Sequence, residues 1–479
     1  MPKWTLLLLL ATACTACEPD SDPPLDDSDE PHETDTPGPS EECEQIEVGP
    51  SSGILSLAVE LTDIPTVVRV SWQTAAPSAG RVEYGDSEVY DRATPELAAA
   101  TSQSVLVRGL RQQHDLHLRV VTAADDHEIC TSDQQISTGS LEPTLPWIAL
   151  SEHDPAQAAG GFTIAPLITG ATDLVVILDD EGEYVWAYPV SANYRARLAQ
   201  GGDSLLVNVG ATGPDDQAKI LRIGFDGSRM SETLVQGGHT DFVQVGPTTF
   251  GSIAWIVCAD GQEPVDLGMA IVEVEEEGAE RLIWSDFDVI PPSATCELVS
   301  GREWPGSAME DTSSALNGLS YDPEADAYYA TARSWNGVLM VDRPTGQTAW
   351  VVTSDHRVEQ RIEPPMDLLA APHSVERVGD TFLVLNEGWP GGPVYANVLE
   401  LAVDATAGTA EEAWSWSPDE LESIDMLGNA QRLWNGGTLA VWATAGRMDE
   451  AGPAGDTVWR VDAAMGTRIG FAERVQDLY

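Results

Sequence analysis

Lysine is almost missing from this sequence. Only Lys3 and Lys219 are lysines, and 24 Lys+Arg face 78 Asp+Glu across 479 residues, for a formal net charge of -54. No basic cluster occurs, which disfavours a phosphate backbone or an anionic membrane surface as partner, so no nucleic-acid binding is expected. Long apolar runs are missing too. The strongest, Leu6 to Leu10, falls far below the roughly 20 residues that span a bilayer. Net charge of this size speaks to solvation and association, not to fold. The chain is long enough for two or three domains, since single cores rarely grow past about 250 to 300 residues.

The first residues nevertheless have the layout of an export signal: Lys3, the leucine run, then the small residues of ATACTAC. The segments ending at Cys14 and Cys17 resemble the lipobox of bacterial lipoproteins, in which the modified cysteine becomes the new N-terminus. Lipidation at Cys17 leaves Cys43, Cys130, Cys258 and Cys296, an even set suited to an oxidising compartment. Cys14 has Ala11 as the better third residue upstream but leaves Cys17 unpaired. The expectation is a signal peptide over 1–17 and an exported cell-envelope lipoprotein held to the membrane through its lipid alone, on Cys17 (or Cys14), with soluble secretion as the alternative. Residues 18–44 are rich in Asp, Glu, Pro and Ser with Leu25 the one large aliphatic, and read as a disordered tether.

Over 45–142 the pattern turns to short alternating strands: ILSLAVEL, VVRVSWQT, GRVEYGD, SVLVRGL, HDLHLRVVTAA and QQISTG. With Trp72 in an early strand, this region resembles a fibronectin type III-like β-sandwich. Cys43 and Cys130 flank it and are expected to bond, pinning its first strand to its last loop. His114, His117 and His127 fall at irregular intervals without an evident converging partner, so no metal site and no cofactor are expected.

From 147 to 479 the chain repeats itself. An apolar strand, a polar turn with glycine and a strand often carrying tryptophan recur as LVVILDDEGEYVWAY, ILRIGFDGSRMSETL, MAIVEVEEEGAERLIW, VLMVDRPTGQTAW, VLELAVDATAGTAEEAW and VWRVDAAMGTRIGF. Most are preceded by a second hairpin, as in RLAQGGDSLLVNVG and SVERVGDTFLVLNEG. Two hairpins per repeat make a four-stranded sheet, and six such sheets bury their faces by stacking around an axis, so a six-bladed β-propeller is expected. The fold class is thus all-β, a sandwich followed by a propeller. FTIAPLITG, 162–170, is expected to supply the ring-closing strands, Cys258 to bond Cys296 beside the third repeat, and the DDEG turn at Asp179 to be solvated. Trp186, Trp284, Trp350 and Trp414 recur at one repeat position, as blade-packing core does.

Equivalent repeat positions meet at a propeller's axis. The position before each inner hairpin holds His239, Ala315, His373 and Gly428-Asn429 in successive repeats, so His239 and His373 are expected at one channel mouth. Arg195 and Arg197 precede the first inner hairpin. Converging Arg and His in so acidic a chain suit an anionic ligand. Glu387 is a candidate carboxylate to orient an imidazole.

The series ALNGLSYDPEADAYYATARSWNGVLMVDRPTGQTAW, PHSVERVGDTFLVLNEG, NVLELAVD and GNAQRLWNGGTLAV resembles the bacterial arylsulfotransferase family. The resemblance, over about Trp147 to Phe471, implies a periplasmic six-bladed propeller that moves a sulfuryl group from an aryl sulfate to a phenol through a sulfohistidine. It implies a stabilising or proton-transfer role for His373 and an equivalent pocket histidine in His239, the two catalytic candidates, and it points to Asn317 and to a small aromatic or sulfated anionic ligand as partner. With Arg195, Arg197, Glu387 and Asn429 from the repeat geometry, Asn317 makes up the substrate-binding candidates. In physical terms a neutral imidazole would attack sulfur and hold the group covalently while nearby cations stabilise its oxygens. The sequence departs from the pattern in places. Ala315 stands where the family has a histidine, LNEG replaces its FDNG, Asn397 replaces an arginine, and no histidine follows His373, where the sulfated one is expected. Two readings therefore stand side by side: a sulfotransferase-like enzyme with an altered pocket, and a non-catalytic propeller binding an anionic ligand or a protein partner at the cell surface.

Overall fold

The computed structural model describes residues 43–479 apart from 125–126, 142–144, 192, 211–216, 261–262, 293–294, 299–313, 389–394, 419–420, 422–423 and 425, and omits the side chains of 259–266 and 295–298. The signal, lipidation and tether expectations over 1–42 lie outside the described residues. Among those described, no helix is long and apolar enough to cross a membrane.

The N-terminal unit is built on one long strand, Val68–Gly85. Its first half alternates buried residues with half-buried or exposed ones through VRVSWQT, as expected of a strand with one face on a core. That half pairs with Ile54–Leu61 on one side and Leu97–Val107 on the other. Register shifts at Gln73 to Ser78 and Ser78 to Gly80 bend the strand, and its second half pairs with Arg92–Ala93 and Asp115–Ala124. The two ladders share one apolar cluster in which Trp72, Val70, Val82, Tyr84, Leu118 and Val120 meet. The expected bond between Cys43 and Cys130 is present, and Glu44–Ile46 runs parallel to the strand carrying Cys130.

Six antiparallel sheets follow, each of at least four strands, and they form a six-bladed propeller. Starting at the axis, the blades open with Glu473–Val475, Asn193–Leu198, Gly238–Gln244, Leu316–Asp322, Pro372–Val378 and Ala430–Arg432. The ring closes differently from expectation. Phe162–Ile168 is the second strand of blade 1, and the innermost position is filled by the far end of the chain, Arg468–Ile469 and Glu473–Val475. Ile148–His153 adds outside Thr457–Ala463 as a fifth strand of blade 6. A first blade lacking its inner strand leaves a bare backbone edge at the axis, and a C-terminal strand satisfies it. Cys258 is disulfide-bonded, and the strand Thr295–Leu298 sets the backbone of Cys296 directly opposite it.

The repeating tryptophans pack blade against blade. Trp186 of blade 1 donates its indole N–H to the Phe225 carbonyl of blade 2 at 2.9 Å, and Trp284 of blade 3 reaches the Thr348 hydroxyl of blade 4 at 2.8 Å. Trp350 lies edge-on to Phe382 of blade 5 at 5.2 Å, and Arg432 of blade 6 stacks over Trp414 at 5.1 Å. Each indole thus buries its apolar body while its polar tip or face meets a partner.

Three arginines of the N-terminal unit dock on blades 1 and 2. Arg108 inserts between the Phe225 and Tyr479 rings at 4.2 and 5.1 Å and donates to the Gly202 carbonyl at 2.6 Å. Arg69 pairs with Asp226 at 2.5 Å, and Arg111 with Asp179 at 2.6 Å. The DDEG turn is solvated only in part: Glu181 is exposed, whereas Asp179 is buried against this arginine, and burial raises its carboxyl above the usual range while Arg111 opposes the rise.

Candidate functional site

The six inner strands have no strand neighbour on the axis side, so their backbone groups need other partners. Side chains from the adjacent blade supply them. Glu473 Oε2 accepts the Leu198 N–H at 2.8 Å, Asp241 Oδ2 that of Leu319 at 2.8 Å, Ser374 Oγ that of Ala430 at 3.2 Å, and Glu376 Oε2 that of Arg432 at 3.1 Å. Asn429 makes two such bonds to Ala472, donating to its carbonyl and accepting its N–H, both at 2.9 Å. Much of the polarity at the axis is thereby engaged in joining blades.

At the entry end of the inner strands lie the two histidines. His373 is 1% exposed and its Nε2 accepts the backbone N–H of Leu427 at 2.9 Å. Glu387 does not bond the imidazole: its Oε1 stands 3.6 Å from Nε2, while its Oε2 accepts Arg333 Nε at 2.8 Å. Burial, helped by the charge of Arg333, pushes the His373 pKa down to about 3. His239 sits edge-on to Trp255 at 4.8 Å, its carbonyl accepts the Asn208 amide at 2.9 Å, and burial lowers its pKa to about 4. Both rings are therefore neutral at physiological pH. Asn317 is fully buried; its carbonyl accepts the Thr240 hydroxyl at 3.2 Å, and its amide nitrogen, oriented to satisfy it, turns back on the Leu316 and Ala315 carbonyls.

One layer deeper, Arg195 stacks over Phe471 at 4.2 Å and is paired with Asp241, donating from Nη2 to Oδ2 at 3.1 Å. Burial first, then neighbouring Arg197, lowers the Arg195 pKa to about 10, and burial raises that of Asp241 against the pull of both arginines.

The last layer encloses a chamber of about 210 Å³ to which inner-strand residues of all six blades contribute, among them Arg195, Arg197, Ser320, Glu376, Gln431 and Glu473. Asn429 also lines it; His239, His373, Asn317 and Glu387 do not. Among the described residues the Arg197 guanidinium has no hydrogen-bond or ion-pair partner; its Nε is buried without one, and its face lies 6.0 Å from the Phe242 ring centroid. Burial, reinforced by the charge of Glu473, raises the Glu376 carboxyl to about 7. The side chain is enclosed by protein yet keeps accessible surface, because that surface faces the channel. Ser320, Tyr321 and Glu376 also border a neighbouring cavity of about 520 Å³, lined further out by Asp322, Arg377 and Asp380 at the rim of blades 4 and 5.

The chamber is lined by the two predicted arginines and Asn429 but by neither histidine; His373 nevertheless lies near Arg195 and His239, whose charges act on it, and packs at 5.3 Å on the Phe471 ring that Arg195 also covers. Asp241, Glu376, Gln431 and Glu473 were not singled out from sequence. Their signal was available: Ser374 and Glu376 alternate along an inner strand as Arg195 and Arg197 do, so both pairs point to the channel. In the N-terminal unit, contrary to the expectation of no converging partners, Glu88, His117 and Asp133 offer donor atoms all within 4.8 Å of one another. There His117 Nδ1 is hydrogen-bonded to Asp133 Oδ2 at 2.9 Å, and the Tyr90 hydroxyl donates to Asp133 Oδ1 at 3.0 Å.

No family model and no curated protein matches the chain. Among solved structures it is similar to a chain of a nidogen/laminin complex, at 10% identity and a TM-score of 0.39, covering 65% of this chain and 97% of that one. It is also similar to an auxiliary nutrient binding protein from Bacteroides ovatus, at 10% identity and a TM-score of 0.35 over 87% of each chain. A third match is a streptogramin B lyase, at 9% identity and a TM-score of 0.35, covering 69% of this chain and 98% of that one. At such identities and scores the matches carry no argument about ligand or activity.

Proposed function

We propose that this protein is a binding propeller whose axial chamber holds one small solute through an acidic group seated on Arg197. One observation carries the reading: among the described residues the Arg197 guanidinium has no hydrogen-bond or ion-pair partner, and it stands on the wall of a chamber lined by all six blades. A guanidinium presents donors in a fixed fork that matches a carboxylate or sulfate, and a charge-assisted bidentate contact of this kind is stronger than a neutral hydrogen bond. Arg195 differs, because Asp241 already neutralises it. A chamber of about 210 Å³ admits only a compact ligand.

Sulfuryl transfer, implied by the arylsulfotransferase resemblance, has less support. A nucleophilic imidazole needs a free nitrogen lone pair facing the substrate, whereas the Nε2 lone pair of His373 accepts the Leu427 N–H and neither histidine lines the chamber. Titration calorimetry with acetate, sulfate and phenyl sulfate tests the binding reading. At least one should bind, and Arg197→Gln should abolish it; no binding by any of them, or binding unchanged in the variant, overturns the reading. Incubation with 4-nitrophenyl sulfate and phenol tests the enzyme reading in parallel, and turnover lost in a folded His373→Gln variant would restore it.

Export and lipidation at Cys17 (or Cys14) remain part of the proposal, on the strength of Lys3, the leucine run and the small residues that follow. Metabolic labelling with palmitate, abolished by Cys17→Ala, is the expected result. Unlabelled protein recovered in the soluble secreted fraction contradicts the anchor.

A further inference from the structure

We infer that the solute is a zwitterion, with its acidic group on Arg197 and a cationic amino group between Glu376 and Glu473. The inference rests on the binding reading above and adds the second pole of the ligand.

Glu376 comes from blade 5 and Glu473 from the strand that closes blade 1, and both line the same small chamber. Each has one oxygen engaged by a backbone amide of the next blade, Glu376 Oε2 by Arg432 and Glu473 Oε2 by Leu198. The second oxygen of each, Oε1, accepts no hydrogen bond from any described residue. The Ser320 hydroxyl on the same wall is buried without a partner as well. Both carboxylates keep accessible surface where they line the chamber, so each outer Oε1 can accept a donor from a ligand.

Charge decides what can enter. With Arg195 and Asp241 cancelling, Arg197 alone faces two carboxylates, so a plain monoanion would add a third negative charge to an enclosed space that already carries an excess. A cation alone would leave the Arg197 fork empty. A molecule with both poles meets both requirements: its carboxylate takes two N–H donors from Arg197, and its ammonium donates to the two bare Oε1 atoms. Burial is the main cause of the raised Glu376 carboxyl; the Arg432 amide and Arg197 oppose it, and the charge of Glu473 adds to it. Chamber volume restricts the class to compact amino carboxylates.

The test is titration calorimetry of the full protein at pH 7.5 with acetate, butyrate, glycine, β-alanine and 4-aminobutyrate. At least one amino carboxylate should bind tenfold or more tightly than the plain carboxylate of matching length. Glu473→Gln and Glu376→Gln should each erase most of that preference while leaving acetate and butyrate bound as well as before or better. Both variants keep an amide oxygen to accept the Leu198 or Arg432 N–H, so the blade junctions persist. The wild-type panel decides without any variant. If plain and amino carboxylates bind equally, the zwitterion is overturned and the Arg197 reading stands. If neither class binds and sulfate and phenyl sulfate also fail, both fall together.

Discussion

The Nε2 of His373 and the backbone N–H of Leu427 form a buried 2.9 Å hydrogen bond between blades 5 and 6, and Leu427 adopts a left-handed conformation with φ of 60° to reach it. A leucine is strained there, and the imidazole supplies the acceptor that its amide needs. His373→Ala should therefore destabilise the propeller, leaving a buried donor without a partner at about 1–3 kcal/mol, with the cavity adding to that. His373→Gln, which can carry an oxygen toward the same N–H, should lose less. Urea unfolding of the two variants measures the difference, and equal losses would contradict the assignment.

Acid should unfold the protein partly through the same ring. His373 and His239 have folded pKa values of about 3 and about 4, below their ordinary 6.5, so the unfolded chain binds their protons first as pH falls. Their stabilising contribution is present above pH 6.5 and is lost toward pH 3 to 4. Glu376 acts in the opposite sense: its folded value of about 7 lies above the ordinary 4.5, so its contribution is present below pH 4.5 and is lost as pH rises through 7. His373→Gln should flatten the acid limb of stability against pH by up to about 1.4 kcal/mol per pH unit. Glu376→Gln should remove part of the decline between pH 4.5 and 7. Thermal melts at half-unit pH steps report both.

Arg108 should be the principal link between the N-terminal unit and the propeller, since its guanidinium lies over both Phe225 and Tyr479 and donates to the Gly202 and Leu478 carbonyls. Arg108→Ala should cost on the order of 2–4 kcal/mol, as central arginine anchors do. In calorimetry the wild type should unfold in one coupled transition, and the variant should separate into two.

Reduction should act on the N-terminal unit first. The Cys43–Cys130 bond joins residues 87 apart in sequence, and closing a loop of that length removes about 4–5 kcal/mol of unfolded-state entropy in the chain-entropy model. Cys130→Ala should lower the melting of that unit while leaving solute binding at Arg197 intact, measured by calorimetry on the same samples.

The propeller was legible in the sequence because each blade writes the same local signals: period-two alternation, a glycine turn and a tryptophan. The closing strand was not, because Glu473–Val475 is three residues long and becomes a strand only by pairing with Phe162–Ile168, some 300 residues earlier. The site divided along the same line. Arg195 and Arg197 announced themselves as the rare cations before an inner hairpin, but the partner that separates their roles, Asp241, arrives from another blade. His373 showed its position and concealed its task, since Leu427 reaches it from 54 residues away. Glu376 and Glu473 looked ordinary among 78 acidic residues, and only the ring makes them neighbours.

The way the ring is fastened also sets an order of events in the life of the chain. Blade 1 begins near Phe162, yet its axial edge stays open until residues 468–475 exist to cover it, and the wall of the chamber contributed by Glu473 arrives with them. Synthesis therefore produces five blades and the three outer strands of the first before the ring can be locked. The chamber is thus the last part of the ring to be completed, when Glu473 takes its place beside the other five inner strands.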